Sequence, residues 1–383
     1  MRKMLIGIDA TPITNRSGTG YYTQKLIEFI GRADSENQYI LFCPGDYKSH
    51  LEHPGMFDYP NFRVVEVRAR SQAARFVWKQ LKLPRQIQRL GIDLFHYPSF
   101  IASLRADVPS VVTVHDLCFA LFPETFSWFH RPYYNFIIPR SVTLCAAVIA
   151  DSDSTKEDIL KHLAAGNGSV STIHLGVDPV RFYRVMDESQ RGRMREKYDL
   201  PEDFILYVGT LEPRKNIPRL IRAFAYGVAS KGLPHHLVIA GRKGWRFDEI
   251  FHEVRALDLS GRVHFPGYVE TLELTVLYSM ARALAYPSLY EGFGLPCLEA
   301  MSCGTPVIAS DRSALPELVE DCALTVDPLS VDSISNALHK ICSDDECYRS
   351  LSERGFKRAS HFSWLATARK TVAVYNRAFA ETR

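Results

Sequence analysis

The chain has 383 residues, 46% hydrophobic and 23% charged, with a formal net charge of +3. That length holds two hydrophobic cores, the composition is globular rather than disordered or fibrous, and so small a charge excess gives no general argument for nucleic acid as a partner. The apolar run Met4 to Ile8 is too short for a signal peptide, no run approaches about 20 apolar residues, and the eight cysteines form no C-x-x-C pair, so a cytoplasmic protein with free thiols is expected.

Taken in chain order, short apolar runs alternate with longer helical patterns. Leu5 to Asp9 reads as a first strand, and Asn15-Arg-Ser-Gly18-Thr19-Gly20-Tyr21 after it opens a helix, where phosphates sit in doubly wound folds. It is not the dinucleotide fingerprint, because the third glycine is absent and no acidic residue follows about twenty positions on. Strands are expected at Tyr39 to Cys43 and Phe62 to Val67. Ala73 to Leu90 is amphipathic at helical spacing, with Phe76, Leu83, Ile87 and Leu90 on one face and Arg75, Lys79, Lys82 and Arg89 on another; Pro84 should kink or split it. Such a basic face is either a solvated helix side or a contact for anionic lipid, reinforced by the aromatic stretch Trp128 to Phe136.

Ser110 to Val114 is a buried strand that ends at His115 and Asp116, at the carboxyl edge where ligands bind. Ala147 to Ala150 is followed by Asp151-Ser-Asp153, where Ser152 or Asp153 suits the N-cap of the polar helix Thr155 to Leu163. The strand pattern then restarts after the polar stretch Met186 to Lys197. Two domains are expected, 1–180 and 181–361, with a last helix near 362–383 packing back on the first.

Strands of the second half are expected at Phe204 to Val208, Leu237 to Ala240, Arg262 to Phe265, Ala283 to Tyr286 and Pro306 to Ala309. Continuous Val/Ile/Leu runs separated by helices indicate parallel sheets buried on both faces. The exit loop of the first of these strands, Gly209-Thr-Leu-Glu-Pro-Arg214-Lys215-Asn216, carries two adjacent cations able to meet a diphosphate, and an arginine there can grip a phosphate with two hydrogen bonds. Arg242 or Lys243 after the next strand could reach a nucleotide. Ser288 to Glu299 sets Glu291 and Glu299 around the turn Gly292-Phe293-Gly294-Leu295; Pro296 suits the first helical position, which places backbone amides at a helix N-terminus. An extended ligand with hydroxyls at two places and negative charge between them, such as a nucleotide sugar, fits that arrangement.

The Glu-x7-Glu segment, the 209–216 loop and the strand Pro306 to Ser310 together resemble the retaining glycosyltransferase family typified by sucrose synthase and bacterial mannosyltransferases, glycosyltransferase family 4. The resemblance implies the α/β GT-B fold, two Rossmann-like domains facing across a cleft. It implies that Glu291 and His115 meet the donor sugar, and that Gly292, Phe293, Gly294 and Leu295 offer amides to sugar or phosphate. Glu299 would hold the ribose, Arg214 and Lys215 the pyrophosphate, and the glycine loop Gly18, Thr19, Gly20 would face it. His264 would lie at the base pocket. Asp116 would orient His115 or face the acceptor. Some relatives carry an arginine where this chain has Thr210. No metal and no cofactor are expected, and the implied partners are a nucleotide sugar, most plausibly GDP-mannose, and a glycan or polyprenyl-diphosphate-linked acceptor. Other readings are a sugar-nucleotide 2-epimerase of the same fold and a non-catalytic nucleotide-sugar-binding protein.

Overall fold

The computed structural model describes residues 3–15, 18–69, 71–123 and 131–382. Arg16 and Ser17 of the first glycine loop, and Trp128, Phe129 and His130 of the aromatic stretch, lie outside them. The chain forms two compact units, Met1–Gly176 with Ser363–Arg383, and Val177–Phe362. The first span thus ends at Gly176 rather than at residue 180.

The first unit is built on β1 (Leu5–Asp9), β2 (Gln38–Pro44), β3 (Phe62–Val67), β4 (Leu94–Tyr97), β5 (Ser110–Val114), β6 (Ala147–Ala150) and β7 (Val170–Thr172), all parallel, in the order β3-β2-β1-β4-β5-β6-β7. Every residue of β5 and β6 is buried, as apolar runs covered by helices on both faces require. The second unit is built on β8 (Phe204–Val208), β9 (His236–Ala240), β10 (Val263–Gly267), β11 (Ala283–Tyr286), β12 (Val307–Ser310) and β13 (Leu324–Val326). These are also parallel, in the order β10-β9-β8-β11-β12-β13. Both are Rossmann-like α/β sheets whose strand order reverses once, between β1 and β4 and between β8 and β11.

The expected helix over 73–90 is continuous in direction but not in winding. Gln72–Val77 and Leu83–Leu90 are α-helical, and Trp78–Lys82 between them is a π-helical turn. The Leu83 N–H bonds Trp78 O, five residues back, so the wide turn absorbs the N–H that Pro84 lacks. Winding also dismantles the basic stripe. Lys79 turns inward and its Nζ lies 2.7 Å from Asp9 at the end of β1, while Arg75 donates to the carbonyls of Ala69 and Thr11. Lys82, Arg85 and Arg89 stay exposed.

A buried polar chain ties the last helix, Trp364–Glu381, to the first sheet. Tyr375 Oη lies 2.6 Å from His96 Nδ1 on β4, His96 Nε2 lies 2.9 Å from Thr113 Oγ1 on β5, and Thr113 shares a hydrogen bond with Tyr22 Oη. Burial, reinforced by the positive charge of His115, pushes the His96 imidazole down to about 3, so the ring is neutral, with one nitrogen donating and the other accepting. Tyr375→Phe removes the partner of Nδ1 and should cost about 1–3 kcal/mol of the first unit's stability in urea denaturation. An unchanged midpoint would show that His96 finds another partner.

Candidate active site

Ligands of open parallel sheets bind outside the carboxyl ends of the strands where the order reverses. In the second unit that place is between the exit loops of β8 and β11, and the sequence binds these loops to each other. The Leu289 N–H donates to Arg214 O at 2.9 Å. Asn216, buried and in the left-handed conformation at φ +60°, donates Nδ2 to Pro287 O at 3.0 Å and to Pro328 O at 2.6 Å. Asparagine is among the few residues with a side chain that visit this conformation readily.

Glu291 stands at the meeting point. Its carboxylate accepts from Lys215 Nζ at 2.6 Å through Oε1 and from Arg214 Nη1 at 2.9 Å through Oε2, and its N–H donates to Ser313 Oγ. Burial acts to raise this carboxyl, but the charges of Lys215 and Arg214 outweigh it and hold it at about 2. Lys215 is itself buried and also donates to Tyr286 Oη at 2.9 Å. Arg214 donates Nε and Nη2 to Glu212 Oε1 at 3.2 and 2.8 Å, and Nη1 to Tyr290 O at 2.7 Å. The expected two-bond grip on a phosphate is therefore not what Arg214 presents; its fork is occupied by the protein.

The helix after Glu291 runs Leu295–Ser302, with Gly294 as N-cap at φ +102°, so Pro296 occupies the second helical position rather than the first. A Cβ at Gly294 would lie 2.5 Å from Leu315 Cδ2, so both backbone conformation and packing select glycine there. The Leu295 N–H has no acceptor within the helix, Pro296 carries no N–H, and the Cys297 N–H donates to Gly294 O at 2.9 Å, so the turn presents one backbone donor at the helix's positive end. Phe293 is buried edge-on against Phe362, which leaves only its backbone for a ligand. Glu299, partly exposed on this helix, accepts from Tyr278 Oη at 2.9 Å. Burial pushes its carboxyl up to about 7, against the opposing effects of the Tyr278 hydrogen bond and of Arg181.

In the first unit His115 follows β5. Its Nδ1 lies 2.7 Å from Asp151 Oδ2 and its Nε2 lies 3.0 Å from Pro98 O, with Tyr22 and Phe100 edge-on to the ring. Burial acts to lower this imidazole, but the Asp151 carboxylate outweighs it and raises it, so both nitrogens act as donors. Asp116 does not orient His115; it accepts from the Cys118 N–H at 3.0 Å, and Asp151 orients the ring. Ser152 caps the helix Asp153–His162 by accepting from Thr155 N. Gly18 and Thr19 open the helix Gly18–Ala33. Gly20 has no room for a side chain, since a Cβ would lie 1.9 Å from Asn15 O.

Residues 190–358 match the family of glycosyl transferases group 1, and residues 16–181 match glycosyltransferase family 4. The chain is 32% identical over 283 residues to the O-antigen chain mannosyltransferase B of Escherichia coli, which covers 74% of each chain. The chain belongs to the GT-B glycosyltransferases. Longer curated mannosyltransferases also match, and the chain spans about two fifths of their length. Among solved structures, the sucrose-phosphate synthase of Thermosynechococcus elongatus superposes with a TM-score of 0.77 at 24% identity, covering 99% of this chain and 100% of that one. Anabaena HepE in complex with UDP and glucose superposes with a TM-score of 0.75 at 20% identity, covering 98% and 100%.

Within this glycosyltransferase, Glu291, Lys215, Arg214 and the turn Gly292 to Leu295 converge as their spacing suggests. His264 does not join them. It is the second residue of β10, at the amino end of the strand, where its Nε2 lies 2.8 Å from Nδ1 of His236, the first residue of β9. Parallel strands put every carboxyl end on one side, so His264 faces the opposite end of the sheet from the two loops. At the carboxyl ends of β9 and β10 the Arg242 guanidinium stacks 3.9 Å over the Tyr268 ring. Sequence reasoning missed Glu212, Asn216, Tyr278, Tyr286 and Asp151. Only Asn216 carried a signal, as a residue tolerant of left-handed backbone at the end of a short turn.

Proposed function

We propose that this glycosyltransferase moves a hexose, mannose from GDP-mannose, with retention of configuration, to a hydroxyl of a glycan or polyprenyl-diphosphate-linked oligosaccharide in surface polysaccharide synthesis. The observation that carries the reading is a carboxylate held ionised by Lys215 and Arg214, beside a helix N-terminus, where the strand order of the second unit reverses. The name of the E. coli relative supports mannose and a polysaccharide acceptor. The UDP held by the Anabaena protein supports a nucleoside diphosphate as the carrier. In this reading Glu291 binds the donor sugar, Lys215 and the amides of Gly292 to Leu295 meet the departing diphosphate, and Glu299 binds the ribose. Gly18, Thr19, Gly20 and His115 also serve the donor. The acceptor attacks on the face the leaving group departs from, and a leaving phosphate oxygen takes its proton. The reading invokes no metal and no cofactor.

We place this work in the cytoplasm with peripheral contact to an anionic membrane, supported by exposed Lys82, Arg85 and Arg89 beside exposed Val77 and Leu81. Pelleting with acidic vesicles checks that contact, and the absence of salt-dependent binding removes it. The transfer itself is tested by a thermal-shift screen of GDP-, UDP-, dTDP- and ADP-sugars. NMR of the anomeric configuration formed on an added oligosaccharide follows. Isomerised nucleotide sugar, or binding without turnover, would replace the reading with the epimerase or the binding protein.

Glu299 gives a pH test. Burial pushes its carboxyl up to about 7 from an ordinary 4.5, so the folded chain holds this proton more tightly than the unfolded one. The group therefore costs stability as pH rises from about 4.5 to about 7. Ribose hydroxyls donate best to the carboxylate, so nucleotide binding below pH 7 should release a proton, read by calorimetry in buffers of different ionisation enthalpy. Glu299→Gln should abolish that release and weaken binding by about tenfold or more. Unchanged proton release in the variant would move the ribose elsewhere.

A further inference from the structure

We infer that Arg214 is a positioning residue for Glu291 and not a phosphate ligand, with Glu212 as the group that aims it; this rests on the proposal that Glu291 meets the donor sugar. A guanidinium has five N–H groups. Among the described residues, at least four hydrogen bonds of Arg214 run to the protein: Nε and Nη2 to Glu212, and Nη1 to both the carbonyl of Tyr290 and the carboxylate of Glu291. The two Nη1 acceptors belong to consecutive residues, so one edge of the guanidinium fixes the backbone before Glu291 and the direction of its carboxylate together. The opposite edge, on Glu212, keeps the plane from turning.

Charge agrees with geometry. Arg214 and Lys215 bring two positive charges, and Glu212 and Glu291 bring two negative ones, all mutually paired. A bidentate grip on a phosphate would have to break the pair with Glu212 or the pair with Glu291, at a guanidinium only 14% exposed. Lys215 differs. An ammonium has three N–H groups, and the bonds to Tyr286 and Glu291 use two of them. A cation at Thr210, the position some relatives use, is absent here, and Arg214 does not replace it.

The test separates charge from geometry. Arg214→Lys keeps the charge but cannot span Glu212, Tyr290 O and Glu291. It should lower kcat by about tenfold or more while affinity for GDP and UDP, by calorimetry, stays within about twofold. Lys215→Ala should lose about tenfold or more of that affinity. Combined with Glu291→Gln, Arg214→Lys should add no further loss of kcat, because the two act as one unit. A ligand-free readout accompanies these: hydrogen exchange of residues 288–294 should rise in Arg214→Lys and not in the control Arg222→Lys, whose exposed guanidinium pairs with Glu253. Loss of GDP and UDP affinity in Arg214→Ala equal to that of Lys215→Ala, multiplicative kcat losses, or unchanged exchange at 288–294 overturns the inference. If the wild-type protein binds neither diphosphate, the donor proposal fails, and the exchange result alone still decides whether Arg214 holds the Glu291 loop.

Discussion

Lys215→Ala should lower kcat for transfer by about 100- to 1,000-fold with the circular dichroism spectrum intact. The reason is where charge appears. When a glycosidic bond to a diphosphate breaks, negative charge grows on the leaving oxygen, and a fixed cation in a water-poor site stabilises that growth more than it stabilises the ground state. Lys215 is buried, and its ammonium needs only the one N–H left by its bonds to Tyr286 and Glu291 to meet the leaving oxygen. Its loss has a second effect that can be measured without substrate. In the intact protein the Glu291 carboxyl is held at about 2 against an ordinary 4.5, so its contribution to stability is complete above pH 4.5 and is lost as pH falls toward 2. Without Lys215 the folded value moves up, and acid unfolding of the second unit should begin at higher pH. Activity close to wild type in Lys215→Ala and in Glu291→Gln alike would sink the assignment of the site.

Asn216→Ala should destabilise the second unit by about 3 kcal/mol, the sum of a strained left-handed alanine, a Pro287 carbonyl that loses its donor and a Pro328 carbonyl left with only Arg219 Nη1 at 3.3 Å. The carbonyls are those of Pro287 and Pro328, and the same side chain accepts from Arg219 Nη1 at 2.6 Å. Asn216 thus holds three segments: the loop after β8, the loop after β11 and the chain after β13. Asn216→Gly keeps the left-handed backbone at no steric cost and should lose less. Asn216→Asp keeps the size but replaces the donor with a carboxylate facing two carbonyl oxygens, and should lose most. The order Gly, Ala, Asp in urea midpoints checks the argument; Ala equal to wild type, or Asp the mildest, contradicts it. The effect should also reach kcat, since the Lys215–Glu291 geometry hangs on the same two loops.

Much of the architecture was written in the chain because parallel strands buried on both faces leave unbroken apolar runs, and ten of these were plain. The strands that escaped notice are instructive. β4 reads Leu-Phe-His-Tyr, and its histidine disguises a central strand, since a neutral imidazole with two partners can be buried at no larger cost than a serine. β7 and β13 are three-residue edge strands with partly exposed positions, too short to show a pattern. At the site, spacing along the chain suggested that Glu291 and Lys215 share one neighbourhood, and the structure has them in contact, because each follows the carboxyl end of a strand. It gave no sign that His264 pairs with His236 near the amino ends of β9 and β10, because that contact runs between two strands. It misread Arg214 because the residues that saturate a guanidinium, Glu212 and the Tyr290 carbonyl, are an unremarkable loop acid and a backbone atom. It missed Asp151 as the partner of His115 because thirty-six positions separate them and only the β5–β6 pairing brings them together.

The last helix has a consequence for how the molecule is made. The second unit is one unbroken span, Val177–Phe362, whereas the first is closed only by Ser363–Arg383. Synthesis therefore inserts the whole of the second unit between the two pieces of the first. The second unit can complete itself while the first still lacks the helix whose Tyr375 answers His96 and whose Trp364 is among the largest fully buried side chains. The first unit thus cannot close until the whole of the second has been made, and in that interval the face its last helix covers is open to wrong contacts.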